Sequence, residues 1–239
     1  VDGGSGVQVS YNSAALVNGS AVQCVPTATG GSGGFGCTLA AFAWRGTAGA
    51  TARSLGDDAS VVVPVGFELP FSGSNFSEVT ISSNGLVGFG AQSSPASFTN
   101  VRIPSSSSPN GFVAPWWDDL DPGSGGSVRT ETVGVAPNRR FVVTWLDVPI
   151  FGGAAGNGLS FQVVLDESGA VTFRYLDVSV GNALFDRGKS ATVGIEDVDA
   201  GSGVQVSYNS AALVNGSAVQ CVPTATGGSV STTSGVPTT

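Results

Sequence analysis

The strongest constraint on this fold is a segment that the chain contains twice. Residues 1–32 and 198–229 agree at 31 of 32 positions at an offset of 197, and they differ only at Gly3 and Ala200. Two segments with the same side chains in the same order fit the same structural positions. A tandem array with a period of about 197 residues explains the duplication. An extra copy introduced by engineering or by domain swapping is the alternative.

The repeat divides the chain into four parts. Residues 1–29 are predicted to be the strand-forming tail of a preceding repeat, and residues 30–36 a flexible Gly/Ser linker. Residues 37–229 form one complete repeat, a single domain of ordinary size, and residues 230–239 form a Ser/Thr/Pro tail. Because the sequence after Ser229 no longer matches the linker, we expect this unit to be the last of its array, or the last before a different segment.

Within the complete repeat, apolar residues alternate with polar ones, as in half-buried strands. Clear examples are the segments Phe141–Trp145, Phe161–Leu165 and Val171–Tyr175. Turn residues at Asn84–Gly85 and at Glu167–Gly169 predict two hairpins. The sequence therefore predicts an all-β fold: an antiparallel β-sandwich of about ten to twelve strands, with an extra N-terminal strand segment duplicated from the C-terminal end of the repeat.

Composition excludes several classes of function. The net charge is −8 and Lys189 is the only lysine, so neither nucleic acid nor an anionic membrane surface is an expected partner. The sequence contains no long apolar run that would insert into a membrane. Without histidine the usual base for a serine or cysteine nucleophile is missing, so we do not expect an enzyme. The abundance of Ser, Thr, Gly, Val and Ala is typical of a secreted or cell-surface β protein.

The three cysteines are explained by the repeat. Cys24 and Cys221 occupy the same position in the two copies, so each unit contributes two cysteines. Pairing of Cys37 with Cys221 within one unit leaves no unpaired cysteine in an intact array, and it would tie a first strand at Leu39–Trp44 to the last strand. Pairing of Cys24 with Cys37 is the alternative. That pairing would leave Cys221 without a partner, because Ser234 stands where the next cysteine is expected.

Acidic residues on loops are the candidates for a metal site. Asp118, Asp119 and Asp121 follow one another before a Gly/Ser loop, and hard oxygen ligands on irregular loops suit Ca²⁺. Two further acidic loops carry Asp57, Asp58, Glu196, Asp197 and Asp199. The alternative is that these carboxylates cap turns by accepting hydrogen bonds from backbone N–H groups. Apart from Ca²⁺, no cofactor is expected.

Trp116 and Trp117 are the candidates for ligand binding, because an exposed indole can stack on a sugar ring. Successive side chains of a strand point to opposite faces, so at most one of the two would face solvent. The alternative is that both serve packing. Trp44 and Trp145 are expected in the core.

Several motifs are similar to a known family. The order GFELPFSGSNFSEVTISSNGLVGFG, VAPWWDDLDPGSGGSV and TVGIEDVDAGSGVQVSYN resembles the nidogen-like extracellular β-sandwich, particularly the bacterial version found in secreted, multidomain surface proteins. The resemblance covers Leu55–Val222, and SSNG and APWWDDLD are its most specific parts. It implies an extracellular, non-catalytic module, and it names no ligand.

The leading hypothesis is a non-catalytic structural or adhesive repeat of a bacterial surface or secreted protein. Residues 1–32, interpreted as a spare hairpin, would pack against the edge of their own domain or of a neighbouring molecule, so that repeats join end to end into a filament or stalk. The expected partners are copies of the protein or neighbouring repeats, together with glycans or extracellular matrix. The alternative is a carbohydrate- or Ca²⁺-binding accessory module of a secreted enzyme.

Overall fold

The computed structural model describes residues 34–90, 96–153 and 156–224. Within these ranges the chain forms thirteen strands and a short 3-10 turn at Asp186–Gly188. The strands make two antiparallel sheets, which confirms the predicted all-β sandwich. The predicted N-terminal strand segment, Cys24 and the Ser/Thr/Pro tail lie outside the described residues.

The strands are numbered in chain order. The larger sheet has seven strands in the spatial order β1 (Phe35–Ala40), β13 (Ser217–Pro223), β10 (Val171–Asp177), β9 (Leu159–Asp166), β8 (Arg140–Val148), β7 (Ser127–Val133) and β2 (Thr51–Arg53). The smaller sheet has six, in the order β12 (Gly203–Tyr208), β11 (Thr192–Glu196), β6 (Phe112–Trp117), β5 (Val87–Gly88), β4 (Ser74–Ser82) and β3 (Ser60–Phe71). The thirteen strands include two very short ones, β2 with three residues and β5 with two, and these bring the total above the expected ten to twelve.

Aromatic rings from the two sheets meet in the main core. Trp145 of β8 stacks on Phe161 of β9 with a centroid distance of 5.0 Å, and Trp116 of β6 lies 6.0 Å from the same Phe161 ring. All three side chains are fully buried. Burial of rings of this size accounts for much of the stability of such a domain, because the hydrophobic effect scales with the apolar area removed from water.

The outer face of the larger sheet is covered by the segment that follows β1. The backbone N–H of Arg45 donates to Oε1 of Gln162 (3.2 Å), and Nε2 of Gln162 donates to the carbonyl of Arg45 (2.7 Å). As a result β8 and β9 are buried on both faces, whereas the alternating pattern predicted half-buried strands. Trp44, which was expected in the core, lies in this covering segment and is only half-buried.

Both predicted hairpins are present. Asn84 and Gly85 connect β4 to β5, where Ile81 pairs with Val87, and residues 167–170 connect β9 to β10. Gly85 has φ +74°, and a Cβ at this position would lie 1.8 Å from the carbonyl oxygen of Trp116, so only glycine fits. Among the described residues, no helix is long and apolar enough to cross a lipid bilayer.

Candidate functional site

The predicted disulfide lies near one edge of the larger sheet. Cys37 of β1 and Cys221 of β13 are paired in the strand register and form a disulfide, with a Cα–Cα distance of 4.0 Å. The bond links residues 184 positions apart, so in the chain-entropy account it restricts the unfolded chain strongly. The sequence-based position of the first strand, Leu39–Trp44, is corrected to Phe35–Ala40.

The described chain begins and ends at the same place. Both the backbone N–H and the Oγ1 of Thr224 donate to the carbonyl of Gly34, at 2.8 and 2.7 Å. The pairing of β1 with β13 brings the two ends together, because the strands are antiparallel and Phe35 is opposite Pro223. Consecutive units of a tandem array would therefore be connected at one end of the sandwich.

The second copy of the duplicated segment forms β12 and β13, and these strands belong to different sheets. β12 pairs with β11 at the edge of the smaller sheet, whereas β13 lies between β1 and β10 in the larger one. The predicted strands of this copy are therefore present but do not form a hairpin, whereas the hairpin predicted for residues 1–32 lies outside the described residues. The reason is that residues 209–216 cross from one sheet to the other instead of making a tight turn.

Trp116 and Trp117 point to opposite faces of β6, as expected, but both are fully buried. Trp116 belongs to the main core. Trp117 packs edge-on against Phe112, with 5.3 Å between the ring centroids, beneath residues 96–111, the segment that precedes β6. Its Nε1 donates to the carbonyl of Ser97 in that segment (2.8 Å). Neither ring is available to a sugar, so the proposed stacking platform at these residues is corrected to packing.

Asp118 and Asp121 accept hydrogen bonds from their own loops and from a neighbouring hydroxyl. Asp118 accepts from the Oγ of Ser190 and from the backbone N–H of Asp119 (3.0 Å). Asp121 accepts from the N–H of Gly123 (2.8 Å) and from the Oγ of Ser124. This is the turn-capping alternative, so the expected set of Asp118, Asp119 and Asp121 does not converge as a ligand set.

Asp119 instead meets two carboxylates from the loop between β2 and β3. One carboxylate oxygen each from Asp57, Asp58 and Asp119 lies within 4.8 Å of the other two, and the side chains are exposed or half-buried. Burial, followed by the charges of Asp58 and Asp57, raises the pKa of Asp119 to about 6. The structure therefore gathers three carboxylates that the sequence placed in two separate loops.

Asn84 connects these acidic loops to the sheet. Its Nδ2 donates to Oδ1 of Asp58 (2.8 Å), and its Oδ1 accepts the backbone N–H of Leu120 (2.9 Å). Sequence reasoning found Asn84 only as a turn residue. Its side chain is fully buried and positions both loops, a role that depends on contacts 26 and 36 residues away.

Glu196 is a buried carboxylate that sequence reasoning counted only among the acidic loops. It ends β11, is fully buried, and its Oε1 accepts the backbone N–H of Ser105 (2.9 Å). Its Oε2 has no hydrogen-bond partner among the described residues. Burial raises the pKa of this carboxyl to about 7. Its neighbour Asp197 differs, since it accepts hydrogen bonds from the hydroxyls of Ser72 (2.6 Å) and Ser202 (2.5 Å).

A groove of about 580 Å³ runs beside the turn between β9 and β10. Arg139 and Glu167 form an ion pair in its lining, and Phe67 is the aromatic residue among the side chains that line it. The Phe67 ring is only 6% exposed and lies beneath the guanidinium of Arg139, 5.1 Å from ring centroid to Cζ. The groove therefore offers no open aromatic face for a sugar ring.

A scan against protein-family models matches residues 34–233 to the family described as NIDO related. The match covers every described strand, from β1 to β13. No curated protein and no solved structure matches the chain significantly.

Proposed function

Since the chain belongs to the NIDO-related family, a family of non-enzymatic extracellular modules, we propose that it is a structural repeat whose duplicated segment completes the sheets of another copy. The disulfide is in keeping with an oxidising, extracellular environment. The observation that carries the proposal is the position of the second copy, which supplies one strand to each sheet.

The second copy is an integral part of the sandwich. β13 forms hydrogen bonds with strands on both sides, and its Val219 and Cys221 are buried. Residues 1–32 carry the same side chains, with Val22 and Cys24 at the equivalent positions. Without a pair of sheets to join, those apolar side chains and unpaired backbone groups would be exposed to water, which proteins avoid. Residues 1–32 therefore fit the β12 and β13 positions of another unit.

Strand exchange of this kind would also set how repeats are arranged. Because Gly34 and Thr224 are adjacent, covalent linkage alone does not place units end to end. An end-to-end filament or stalk requires that a strand segment of one molecule pairs within the next.

The two copies allow a matched test in the full chain. Val219→Asp places a charge in the core and disables the second copy, whereas Val22→Asp disables the first. We expect Val219→Asp to remain folded because residues 1–32 of a neighbouring molecule fill the vacated positions. Non-reducing peptide mapping should then find Cys24 bonded to Cys37 of another chain, and sedimentation should detect larger assemblies.

The remaining outcomes separate the parts of the proposal. If the Val219→Asp variant unfolds and no disulfide forms between Cys24 and Cys37, exchange between the two copies is contradicted. A folded monomer with that bond inside one chain would contradict assembly. The double variant, with both valines replaced, should not fold, and Val22→Asp alone should keep the disulfide from Cys37 to Cys221.

The alternative, an accessory module that binds Ca²⁺, is supported by the convergence of Asp57, Asp58 and Asp119. Three carboxylate oxygens are suitable ligands for Ca²⁺, and an incoming cation would relieve their mutual repulsion. A melting temperature that rises with Ca²⁺ in the parent, and that loses this rise in Asp119→Asn, would favour this function over a purely structural one.

A further inference from the structure

The four strands at the edges of the two sheets differ in how well they are protected against pairing with another chain. β3 contains Pro64 and Pro70, and its pairing with β4 is interrupted between Pro64 and Leu69. β2 has only three residues, and the pairing of β12 with β11 is interrupted next to Gly194. Prolines, bulges and very short strands are features that prevent pairing at a sheet edge. β1 has none of them, since its six residues include no proline and no charged residue and pair with β13 in an unbroken register.

The backbone of β1 has donors and acceptors that point away from β13. In an antiparallel pair, hydrogen-bonded pairs of residues alternate with closer pairs that have no hydrogen bond. The N–H of Thr224 donates to the carbonyl of Gly34 (2.8 Å), whereas Cys37 lies 4.0 Å from its partner in β13, measured between the Cα atoms. The N–H and C=O groups of Phe35, Cys37 and Leu39 therefore face the free edge, and no strand of the described chain pairs with them there.

Leu39 is an apolar side chain that its own domain leaves uncovered. It lies opposite the buried Val219 and so faces the interior of the sandwich, yet it is 50% exposed. The segment that follows β1 crosses the outer face of the larger sheet, where Arg45 bonds Gln162, instead of covering this edge. A strand added beside β1 would remove both the Leu39 side chain and the unpaired backbone groups from water.

The side of the molecule around β1 is uncharged, although the whole chain has a net charge of −8. No charged residue occurs in β1, in its neighbour β13, or in β12, which contacts β1 from the smaller sheet. Val222 of β13 adds another exposed apolar side chain near this edge. Two copies with the same net charge can therefore approach each other through this side without placing like charges together.

We propose that two copies of the chain pair through β1, edge to edge and antiparallel, around a twofold axis at Cys37. In this register Phe35 of each copy lies opposite Leu39 of the other, and Cys37 lies opposite Cys37. These are the residues whose N–H and C=O groups face the free edge, so all of these groups gain partners. The two seven-stranded sheets become one continuous sheet through an interface that uses the same surface on both copies.

The first copy of the duplicated segment is a less suitable occupant of this edge. Residues 20–26 repeat the sequence of β13, and in the register of β13 they would place Pro26 opposite Phe35. Proline has no N–H, so the outward-facing carbonyl of Phe35 would gain no donor. β13 tolerates Pro223 opposite Phe35 because these backbone groups of Phe35 point away from β13. Pairing of β1 with β1 is also separate from strand exchange, since no strand leaves its own domain.

Sedimentation equilibrium of the full chain tests the dimer. A pair of six-residue strands makes a small interface, so we expect a reversible dimer with a Kd of about 10⁻⁶–10⁻⁴ M. The measurement is made with Val22→Asp, which disables strand exchange through residues 1–32 and leaves β1 intact. Leu39→Lys should raise the Kd at least tenfold without lowering the melting temperature, because charged side chains protect sheet edges from pairing. Val62→Lys is the matched control on the edge strand β3, where Val62 is 56% exposed, and should leave the Kd unchanged.

Disulfide cross-linking tests the register. Gly36 of one copy and Thr38 of the other should form a close pair across the interface, so Gly36→Cys combined with Thr38→Cys should link two chains. A Cβ at Gly36 would lie 3.5 Å from Cγ2 of Thr224, an ordinary contact, so the position accepts a side chain. Cys24→Ser removes the remaining thiol from the experiment. Thr38→Cys without the change at Gly36 should give no cross-link, because Thr38 then lies opposite glycine.

The outcomes that would overturn the proposal are distinct from a failure of strand exchange. A chain that stays monomeric at about 1 mM, a dimer that Leu39→Lys leaves as strong as before, or equal weakening by Val62→Lys would each exclude pairing through β1. Cross-linking by Thr38→Cys alone would exclude the register. If strand exchange fails, no disulfide forms between Cys24 and Cys37 in the Val219→Asp variant, and the dimer through β1 remains.

Discussion

The two sheets of the sandwich differ in whether their carboxylates form ion pairs with arginines. On the larger sheet, Glu131 pairs with Arg45, Glu167 with Arg139 and Asp166 with Arg140. At the ends of the smaller sheet, by contrast, burial raises the pKa values of Asp57, Asp118, Asp119 and Glu196, and neighbouring carboxylates further raise those of Asp57, Asp119 and Glu196. Among the described residues, none of these four forms an ion pair with a cation.

This difference predicts that the stability contributed by the larger sheet does not depend on Ca²⁺, whereas the stability contributed by the ends of the smaller sheet does. The larger sheet contains the disulfide, and three of its carboxylates are paired with arginines. Among the described residues, the carboxylates Asp57, Asp118, Asp119 and Glu196 at the ends of the smaller sheet have no ion pair with arginine or lysine, so a proton or a cation from solvent would neutralise them. Changes in the larger sheet should therefore act equally with and without Ca²⁺, whereas changes at the ends of the smaller sheet should depend on it.

The largest expected effect is loss of the disulfide. Cys37→Ser should lower the free energy of unfolding by about 2–5 kcal/mol, because the unfolded chain gains conformational freedom. Denaturant melts should give the same loss in Ca²⁺ and in EDTA. Cys24→Ser is the matched control and should change little, while a loss that depends on Ca²⁺ would contradict the division between the sheets.

Two buried amide side chains, which are themselves uncharged, allow the packing of the two sheets to be compared. Asn84 serves the smaller sheet, and Gln162 serves the larger one, bonding Arg45 and the Oγ1 of Thr144 (2.9 Å). Replacing either by alanine leaves buried polar groups unpaired and should cost about 2–3 kcal/mol. Equal losses in denaturant melts would show that the sheets differ in charge alone, whereas a much smaller loss for Asn84→Ala would show that the smaller sheet is also less tightly packed.

The third prediction concerns pH. The pKa of Asp119 is about 6 in the folded protein, above its ordinary value, so the unfolded chain ionises first. In EDTA, the stability that Asp119 contributes at low pH should therefore be lost as the pH rises from about 4 to about 6. Because the loop is open to solvent, the loss should be no more than about 1 kcal/mol. Asp119→Asn should remove this loss in melts at pH 4, 5, 6 and 7, and a parent with no such loss would contradict it.

Sequence predicted the fold because its signals are local. Alternation in Phe141–Trp145 and turn residues at Asn84–Gly85 depend on neighbouring positions, and both features are present. The pattern did not reveal that β8 and β9 are covered on both faces, since that depends on a contact of Arg45 with Gln162, 117 residues away. For the same reason Trp116 and Trp117 were considered as a binding surface although both are buried.

The candidate sites were harder to predict because their members come from distant loops. Asp119 was predicted as a Ca²⁺ ligand together with Asp118 and Asp121, but the carboxylates that it meets, Asp57 and Asp58, come from another connection. The burial of Glu196 was also not predicted, since its hydrogen bond comes from Ser105, which is 91 residues away in the sequence.

The smallest expected effect is at Glu167, on the larger sheet. The Arg139 guanidinium and its backbone N–H hold the pKa of this carboxyl at about 2, below its ordinary value. The stability it contributes should be present above about pH 4.5 and lost as the pH falls toward 2. Glu167→Gln should flatten the acid limb of the stability curve and have little effect at pH 7, since an exposed ion pair is screened by water. Glu68→Gln, which removes an exposed carboxylate that lines the same groove, is the matched control for this variant. Because Arg139 already balances Glu167, the curves should coincide in Ca²⁺ and EDTA, and a Ca²⁺-dependent acid limb at this pair would mean that the larger sheet does not neutralise its own charges.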